Sequence, residues 1–254
     1  MRHVSTLLIR ELSAYFLAPM AYLVLLAFQL VAFLNFWELV DFMRQPQREL
    51  SSLRDPMTNY ISGSPAFWIA VLVAIPALTM RLLAEERRSG TIETLLTLPV
   101  TETQVVLAKW LAGVVMYLVL LIPFALYLPF LYYQARFYFD VGPVLTLGIG
   151  LTTMGMMFVA IGLFFSSMTR NQIIAAIWTF VVLLFMIVMV PLVYLFAERQ
   201  HAAWAEGVRF SSVLSQARGF GMGQLDLRHL MLHLSVCVLM LSLTVKVLES
   251  RANR

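Results

Sequence analysis

Residues 82–104 read Leu82-Leu83-Ala84-Glu85-Glu86-Arg87-Arg88-Ser89-Gly90-Thr91-Ile92-Glu93-Thr94-Leu95-Leu96-Thr97-Leu98-Pro99-Val100-Thr101-Glu102-Thr103-Gln104. This is the most densely charged stretch of an apolar chain, and it lies between two runs of membrane-spanning length. Ser89-Gly90 interrupts a helix arriving from Leu82, because glycine costs about 1 kcal/mol against alanine in a helix interior. Thr91 can cap a new short helix, with Glu93 in the first turn where the helix dipole favours a carboxylate. Ile92, Leu95 and Leu96 fall at i, i+3 and i+4, opposite a polar face carrying Glu93, Thr94 and Thr97. Pro99 biases Leu98 away from helical geometry, and Thr101 with Gln104 forms a capping box for the next helix. The predicted pattern is helix, break, short amphipathic helix, break, helix. That is a shaped element on a membrane surface.

Working outward, composition sets the class. Of 254 residues 61% are hydrophobic and 13% charged, with mean hydropathy +0.83. Soluble domains carry roughly 45–50% apolar and about 25% charged residues. The chain therefore reads as an all-α polytopic membrane protein. Its net charge of +4 comes from scattered basic residues, which speaks for membrane topology and against a nucleic-acid partner. The single cysteine, Cys237, excludes an intramolecular disulfide or thiolate cluster.

Crossing a bilayer takes about 20 mostly apolar residues. Hydropathy places spans near residues 15–36, 66–83, 105–132, 144–165, 173–196 and 227–248, within one domain covering 1–254. Residues 1–14 carry Val4, Leu7, Leu8 and Leu12 on one helical face and read as an interfacial helix. Trp37, Trp68, Trp110 and Trp178 fall near span ends, where indole rings favour the interface. Gly148, Gly150, Gly155 and Gly162 in the fourth span predict close helix packing. In the 197–226 loop, Phe210, Val213, Leu214 and Ala217 share a helical face before a glycine-rich turn, which predicts an amphipathic helix ahead of the last span. An even number of spans puts both termini on one side. Ten of the eighteen Lys and Arg residues lie there too, so that side is expected to be cytoplasmic, together with the 82–104 element.

Several function classes lack their residues. Ion-coupled transport needs ionisable groups within the spans, and only His229 and His233, near one end of the sixth, come close. Asp226, His229 and His233 are too few to make a metal site, and the histidines read as part of an interfacial helix end. No phosphate-cradling loop, zinc-protease pair or nucleophile elbow is present, so no catalytic, cofactor-binding or metal residue is expected. Energy for any movement would then come from another polypeptide at the 82–104 element.

The run Glu85-Glu86-Arg87, Gly90-Thr91-Ile92-Glu93, Leu95-Leu96 and Leu98-Pro99-Val100 before the third span resembles the hallmark of ABC-2-type ABC transporter permeases. Ser166-Ser167-Met168-Thr169-Arg170-Asn171-Gln172, between the fourth and fifth spans, is a second match. Asp226 and Arg228 entering the last span, with Leu248-Glu249-Ser250-Arg251 at its exit, resemble the branch of gliding-motility and multi-copper-enzyme-maturation permeases. The resemblance implies a six-span permease subunit with an interfacial N-terminal helix and short outer helices before the last span, whose cytoplasmic coupling helix seats in a groove of a separate ATPase. It assigns Glu85, Glu86, Arg87, Gly90, Thr91 and Glu93 to that contact, where Arg88, Ile92, Leu95 and Leu96 are expected to join them. Ser167, Thr169 and Asn171, with Arg170 beside them, would make a second inner contact.

By the same resemblance the partners are two ABC ATPase copies, which bind ATP and magnesium, and a second permease copy or a larger permease-like paralogue. The expected setting is the bacterial inner membrane, with 197–226 periplasmic. The expected role is ATP-driven export or force transmission. The alternative is a non-transporting membrane anchor for an ATPase in a cell-envelope machine such as gliding motility.

Overall fold

Hydrocarbon offers no water to backbone N–H and C=O groups, so an apolar chain of this kind satisfies them inside helices. The computed structural model describes residues 2–44, 61, 63–90, 101–134, 141–201 and 204–252, and no strand occurs among them. In order, the helices are α1 (Arg2–Leu17), α2 (Pro19–Arg44), α3 (Pro65–Thr79), α4 (Ala84–Ser89), α5 (Glu102–Gln134) and α6 (Val141–Met168). Then come α7 (Gln172–Leu184), a π-helical turn (Phe185–Met189), α8 (Val190–Arg199), α9 (Ala205–Ser211), α10 (Val213–Gly221) and α11 (Leu227–Ala252). Six stretches are long and apolar enough to cross a membrane: Pro19–Glu38, Pro65–Ser89, Glu102–Pro129, Val141–Met168, Gln172–Arg199 and Leu227–Ser250. The protein is a multi-pass, all-α membrane protein.

Three boundaries depart from the hydropathy reading. The first helix does not stop at residue 14 but runs to Leu17, and the break falls at Ala18. Pro19 explains this, because a proline disfavours helical geometry in the residue before it. Tyr15 thus belongs to α1, where its hydroxyl donates to the Leu78 carbonyl at 2.7 Å. The second span is not one helix to Leu83 either. It stops at Thr79, turns through residues 80–83 and restarts as α4. Finally, the 205–221 region is two helices. Ser212 ends α9 and caps α10 by accepting from Ser215 N at 3.4 Å. Val213, Ala217 and Phe220 are buried on α10, while Phe210 stays with α9.

The core is built around α6, against which α3, α5, α7, α10 and α11 all pack. Its glycines explain how they come so close. A Cβ at Gly150 would overlap the Phe220 ring, one at Gly155 the Tyr117 ring, and one at Gly162 the Thr79 side chain. Gly148, by contrast, faces open space and contributes no packing. The Met156 carbonyl accepts from Trp110 Nε1 at 3.1 Å and from Cys237 Sγ at 3.7 Å, joining α5 and α11 to α6. Trp68 is buried against Phe67, so neither it nor Trp110 serves only as an interfacial anchor. Phe28, Phe67 and Phe124 meet edge to face, with centroids 5.1–6.1 Å apart, and hold α2, α3 and α5 together.

Leu248 near the chain's end clusters with Leu82, Leu83, Val106 and Leu163, with Tyr15 packed against the group. Helix α1, α4 and the end of α11 therefore share one end of the bundle. Helix α10 packs on α6 at the opposite end, with Phe220 against Gly150.

The glycine contacts predict opposite outcomes at two positions of one helix. Gly155→Ala drives a methyl group into Tyr117 and should lower stability by about 1–3 kcal/mol, the usual range for overpacking. Gly148→Ala should leave stability unchanged or raise it by up to about 1 kcal/mol through helix propensity. Thermal unfolding of both variants in detergent checks the pair.

Candidate functional site

The turn at residues 80–83 frees backbone groups that the membrane cannot satisfy, and Ser166 at the end of α6 takes them up. Its Oγ accepts from Leu83 N at 3.0 Å and Ala84 N at 3.1 Å, and donates to the Met80 carbonyl at 3.1 Å. The hydroxyl is fully buried, so the first turn of α4 is held inside the protein by a residue of the fourth span. At its other end α4 closes on Gly90 with φ 75°, the left-handed conformation that glycine adopts most easily.

Between those ends, four consecutive charges go to four different places. Glu85 receives Arg81 through Nε at 2.8 Å and Nη2 at 3.2 Å. Glu86 turns inward to Lys109 Nζ at 2.9 Å, with Arg10 Nη2 at 3.5 Å. Arg87 is buried and donates to the Ser167 carbonyl. Arg88 faces solvent.

Lys109 is the centre of this arrangement. It stands on α5 with its side chain 2% exposed, and its ammonium also reaches Glu11 Oε2 on α1 at 3.0 Å. An ammonium withdrawn from water is tolerated only where nearby charge compensates it. Two carboxylates do so here, one from α1 and one from α4, and Arg10 Nη2 lies against both, 3.1 Å from Glu11 Oε1 and 3.5 Å from Glu86 Oε1. One cation thus fastens three chain segments at the same point. Helix α5 starts where the sequence predicted, with Thr101 N to Gln104 Oε1 and Gln104 N to Thr101 Oγ1, both 3.4 Å.

The second expected contact region divides similarly. Ser167 is buried and donates to the Phe164 carbonyl at 2.6 Å. Thr169 Oγ1 accepts from Asn171 N at 3.0 Å, and Asn171 Oδ1 caps α7 by accepting from Ile173 N at 2.9 Å. Arg170 is exposed. Among the sequence-predicted residues, then, Arg88, Gly90, Arg170 and Asn171 are open to solvent, Glu85 and Thr169 are half-buried, and Glu86, Arg87 and Ser167 serve the chain itself. Thr91, Ile92, Glu93, Leu95 and Leu96 lie outside the described residues.

Glu11, Lys109 and Ser166 were missed as site residues. Two of them left a signal: Glu11 is the only acid before Glu38, and Lys109 is one of two lysines in the chain. Ser166 opens the Ser166–Gln172 run, but nothing in that run sets it apart from its neighbours.

At the opposite end His233 is more than an interfacial histidine. It is buried in α11, with Nδ1 at 3.1 Å from Thr153 Oγ1 on α6 and Nε2 at 2.9 Å from Gln216 Oε1 on α10. Gln216 in turn donates through Nε2 to the Phe210 carbonyl at 2.7 Å. Among the described residues no group of three metal-ligating side chains occurs.

A family model described as ABC-2 family transporter protein matches residues 9–249. No curated protein matches the chain.

Replacing Lys109 by methionine would leave Glu11 and Glu86 with the half-exposed Arg10 in place of a buried cation. Removing one partner of a buried ion pair costs about 3–5 kcal/mol, and a loss of that size is expected in thermal unfolding in nanodiscs. Glu11→Gln/Glu86→Gln/Lys109→Met, which removes all three charges, should recover part of it. A Lys109→Met chain that melts like the wild type would refute the proposed clamp.

Proposed function

We propose, on the premise that this chain belongs to the ABC-2 family of transporter proteins, that it is the permease subunit through which a separate ABC ATPase drives export. The α1 end is the cytoplasmic end, following the distribution of Lys and Arg. The ATPase, in two copies that hold ATP and magnesium, docks on the element running from Glu85 through Leu96. The grip comes from the apolar residues Ile92, Leu95 and Leu96, spaced along the sequence for one helical face. Arg88 and Arg170 steer the approach.

The observation that carries this reading is the way α4 is tied into the bundle. Lys109 joins it to α5 and α1, Arg87 joins it to the 166–172 turn, and Ser166 joins it to α6. A push delivered beyond Gly90 therefore reaches three spans, α3, α5 and α6, through short polar contacts. A simple tether between spans needs none of these bonds. The exposed apolar faces of α2 and of α7–α8, including Leu26, Leu30, Ile177 and Val181, are open to lipid and to the second permease copy. Asp226, Arg228 and the Leu248–Arg251 exit attach the chain to the gliding-motility branch in this proposal. An anchor that holds an ATPase without transporting would use the same joint, and no observation favours it.

The chain by itself should hydrolyse no ATP. With the ATPase in nanodiscs, Leu95→Ala should weaken co-purification by roughly thirtyfold, the loss of one buried anchor of about 2 kcal/mol. Arg88→Ala should cost at most about fivefold, since an exposed ion pair contributes about 0–1 kcal/mol. Gly90→Val differs in kind. A β-branched residue at φ 75° is strained, so the complex should assemble while its ATPase rate stops responding to the permease. Full coupling in Gly90→Val together with lost assembly in Arg88→Ala would reverse the assigned roles.

A further inference from the structure

The end of the bundle remote from α1 holds an open cavity of about 710 Å³, lined by Tyr194, Glu198, Arg209, Arg218, Asp226 and His229 among others. It lies between the end of the fifth span-length stretch at Arg199 and the start of the last at Leu227, where a bilayer crossed by both would present its head groups. Its α10 wall is fixed from behind. Gln216 bonds His233 at 2.9 Å, the Phe220 carbonyl accepts from Thr146 Oγ1 at 2.7 Å, and the Phe220 ring lies against Gly150. A nine-residue surface helix pinned at these points presents Arg218 from a set position.

The charges in this cavity do not cancel among themselves. Arg209 pairs with Glu206 at 3.7 Å, and Asp226 accepts from Arg228 N at 2.9 Å with His229 Nε2 at 4.0 Å. Glu198 accepts the Tyr194 hydroxyl at 2.9 Å. Among the described residues, no cation lies within 4.0 Å of Glu198 and no carboxylate within 4.0 Å of Arg218. A cation and an anion are thus held apart on the walls of one cavity. Glu206 and Arg209 pair with each other and Asp226 with His229, so the opposite charges left to a ligand are Glu198 and Arg218. A molecule carrying both signs fits.

We infer that this cavity binds the zwitterionic head group of a phosphoethanolamine phospholipid, with the phosphate on Arg218 and the primary ammonium on Glu198. Arginine suits the phosphate because its planar fork can donate two hydrogen bonds. The acyl chains have a path beside it: Leu195 and Phe196 next to Glu198, and Leu227 and Met231 after Asp226, are exposed. This inference is independent of the ATPase assignment.

The test titrates the purified chain with short-chain phosphatidylethanolamine, phosphatidylglycerol or soluble phosphoethanolamine, and counts bound molecules by native mass spectrometry. Phosphatidylethanolamine should bind best. Arg218→Ala should weaken it roughly tenfold, the scale of one charge-assisted hydrogen bond, and Arg218→Lys, which keeps the charge without the fork, should recover only part of that. Glu198→Gln should abolish the preference over phosphatidylglycerol. Both side chains are exposed, so the fold should survive, and unchanged melting temperatures would verify it. Equal binding of the two lipids by the wild type, or variants that bind as it does, would overturn the head-group assignment. Competition by soluble phosphoethanolamine at the lipid's own concentration would overturn the lipid as its source.

Discussion

A single ammonium held between two carboxylates organises one end of this protein. Lys109 alone would be strongly disfavoured where it sits, and so would Glu11 and Glu86 turned toward it. Each is stable there because the others are in place, with Arg10 against both carboxylates, so α1, α4 and α5 have one mutual arrangement that satisfies all of them. Tyr15 bonded to the Leu78 carbonyl and Arg87 bonded to the Ser167 carbonyl extend the same logic to the neighbouring elements. The broken second span depends on it as well. Its turn at residues 80–83 is tenable within a membrane protein because Ser166 takes up the freed backbone groups.

The two ends of the bundle use polar groups differently, and α6 links them. At the α1 end, buried charges close on one another and leave α4 rigidly seated, with only Arg88, Ser89 and Gly90 fully open. At the other end, hydrogen bonds through His233 and Gln216 fix a short helix whose charged side faces an open cavity. Between them, Gly150, Gly155 and Gly162 let α10, α5 and α3 lie directly against α6. A displacement imposed on α4 is met first by Ser166 at one end of α6, and the cavity wall leans on Gly150 toward the other. A permease needs such a path, because whatever moves a substrate across must connect the two faces of the membrane.

Much of the architecture was legible in the sequence for simple reasons. Spans are legible because hydrocarbon selects long apolar helices, and the Thr101–Gln104 cap and the Gly90 turn are legible because their partners are local. The start of the first span was misplaced because hydropathy alone carries α1 into it; Pro19 was the overlooked signal. The break after Thr79 could not have been read, since its compensating hydroxyl is Ser166, distant along the chain. For the same reason, adjacent Glu85 and Glu86 look alike as letters yet meet Arg81 and Lys109. Trp68 and Trp110 carry the composition of an interfacial belt but are placed by packing. The expected contact residues divided accordingly, some facing solvent and others holding the element that presents them.

The central claim is that Lys109 makes α1 and α4 one body, and a distance measurement tests it most directly. Cys237, the only cysteine, donates its thiol to the Met156 carbonyl, so Cys237→Ser keeps a donor there and clears the background. Spin labels at exposed Ile9 on α1 and exposed Ser89 on α4 then report the separation by pulsed electron paramagnetic resonance in nanodiscs. A single narrow distribution with Lys109 present, and a broad or split one in Lys109→Met, is the predicted result. Distributions of the same width and position in both proteins would contradict the account.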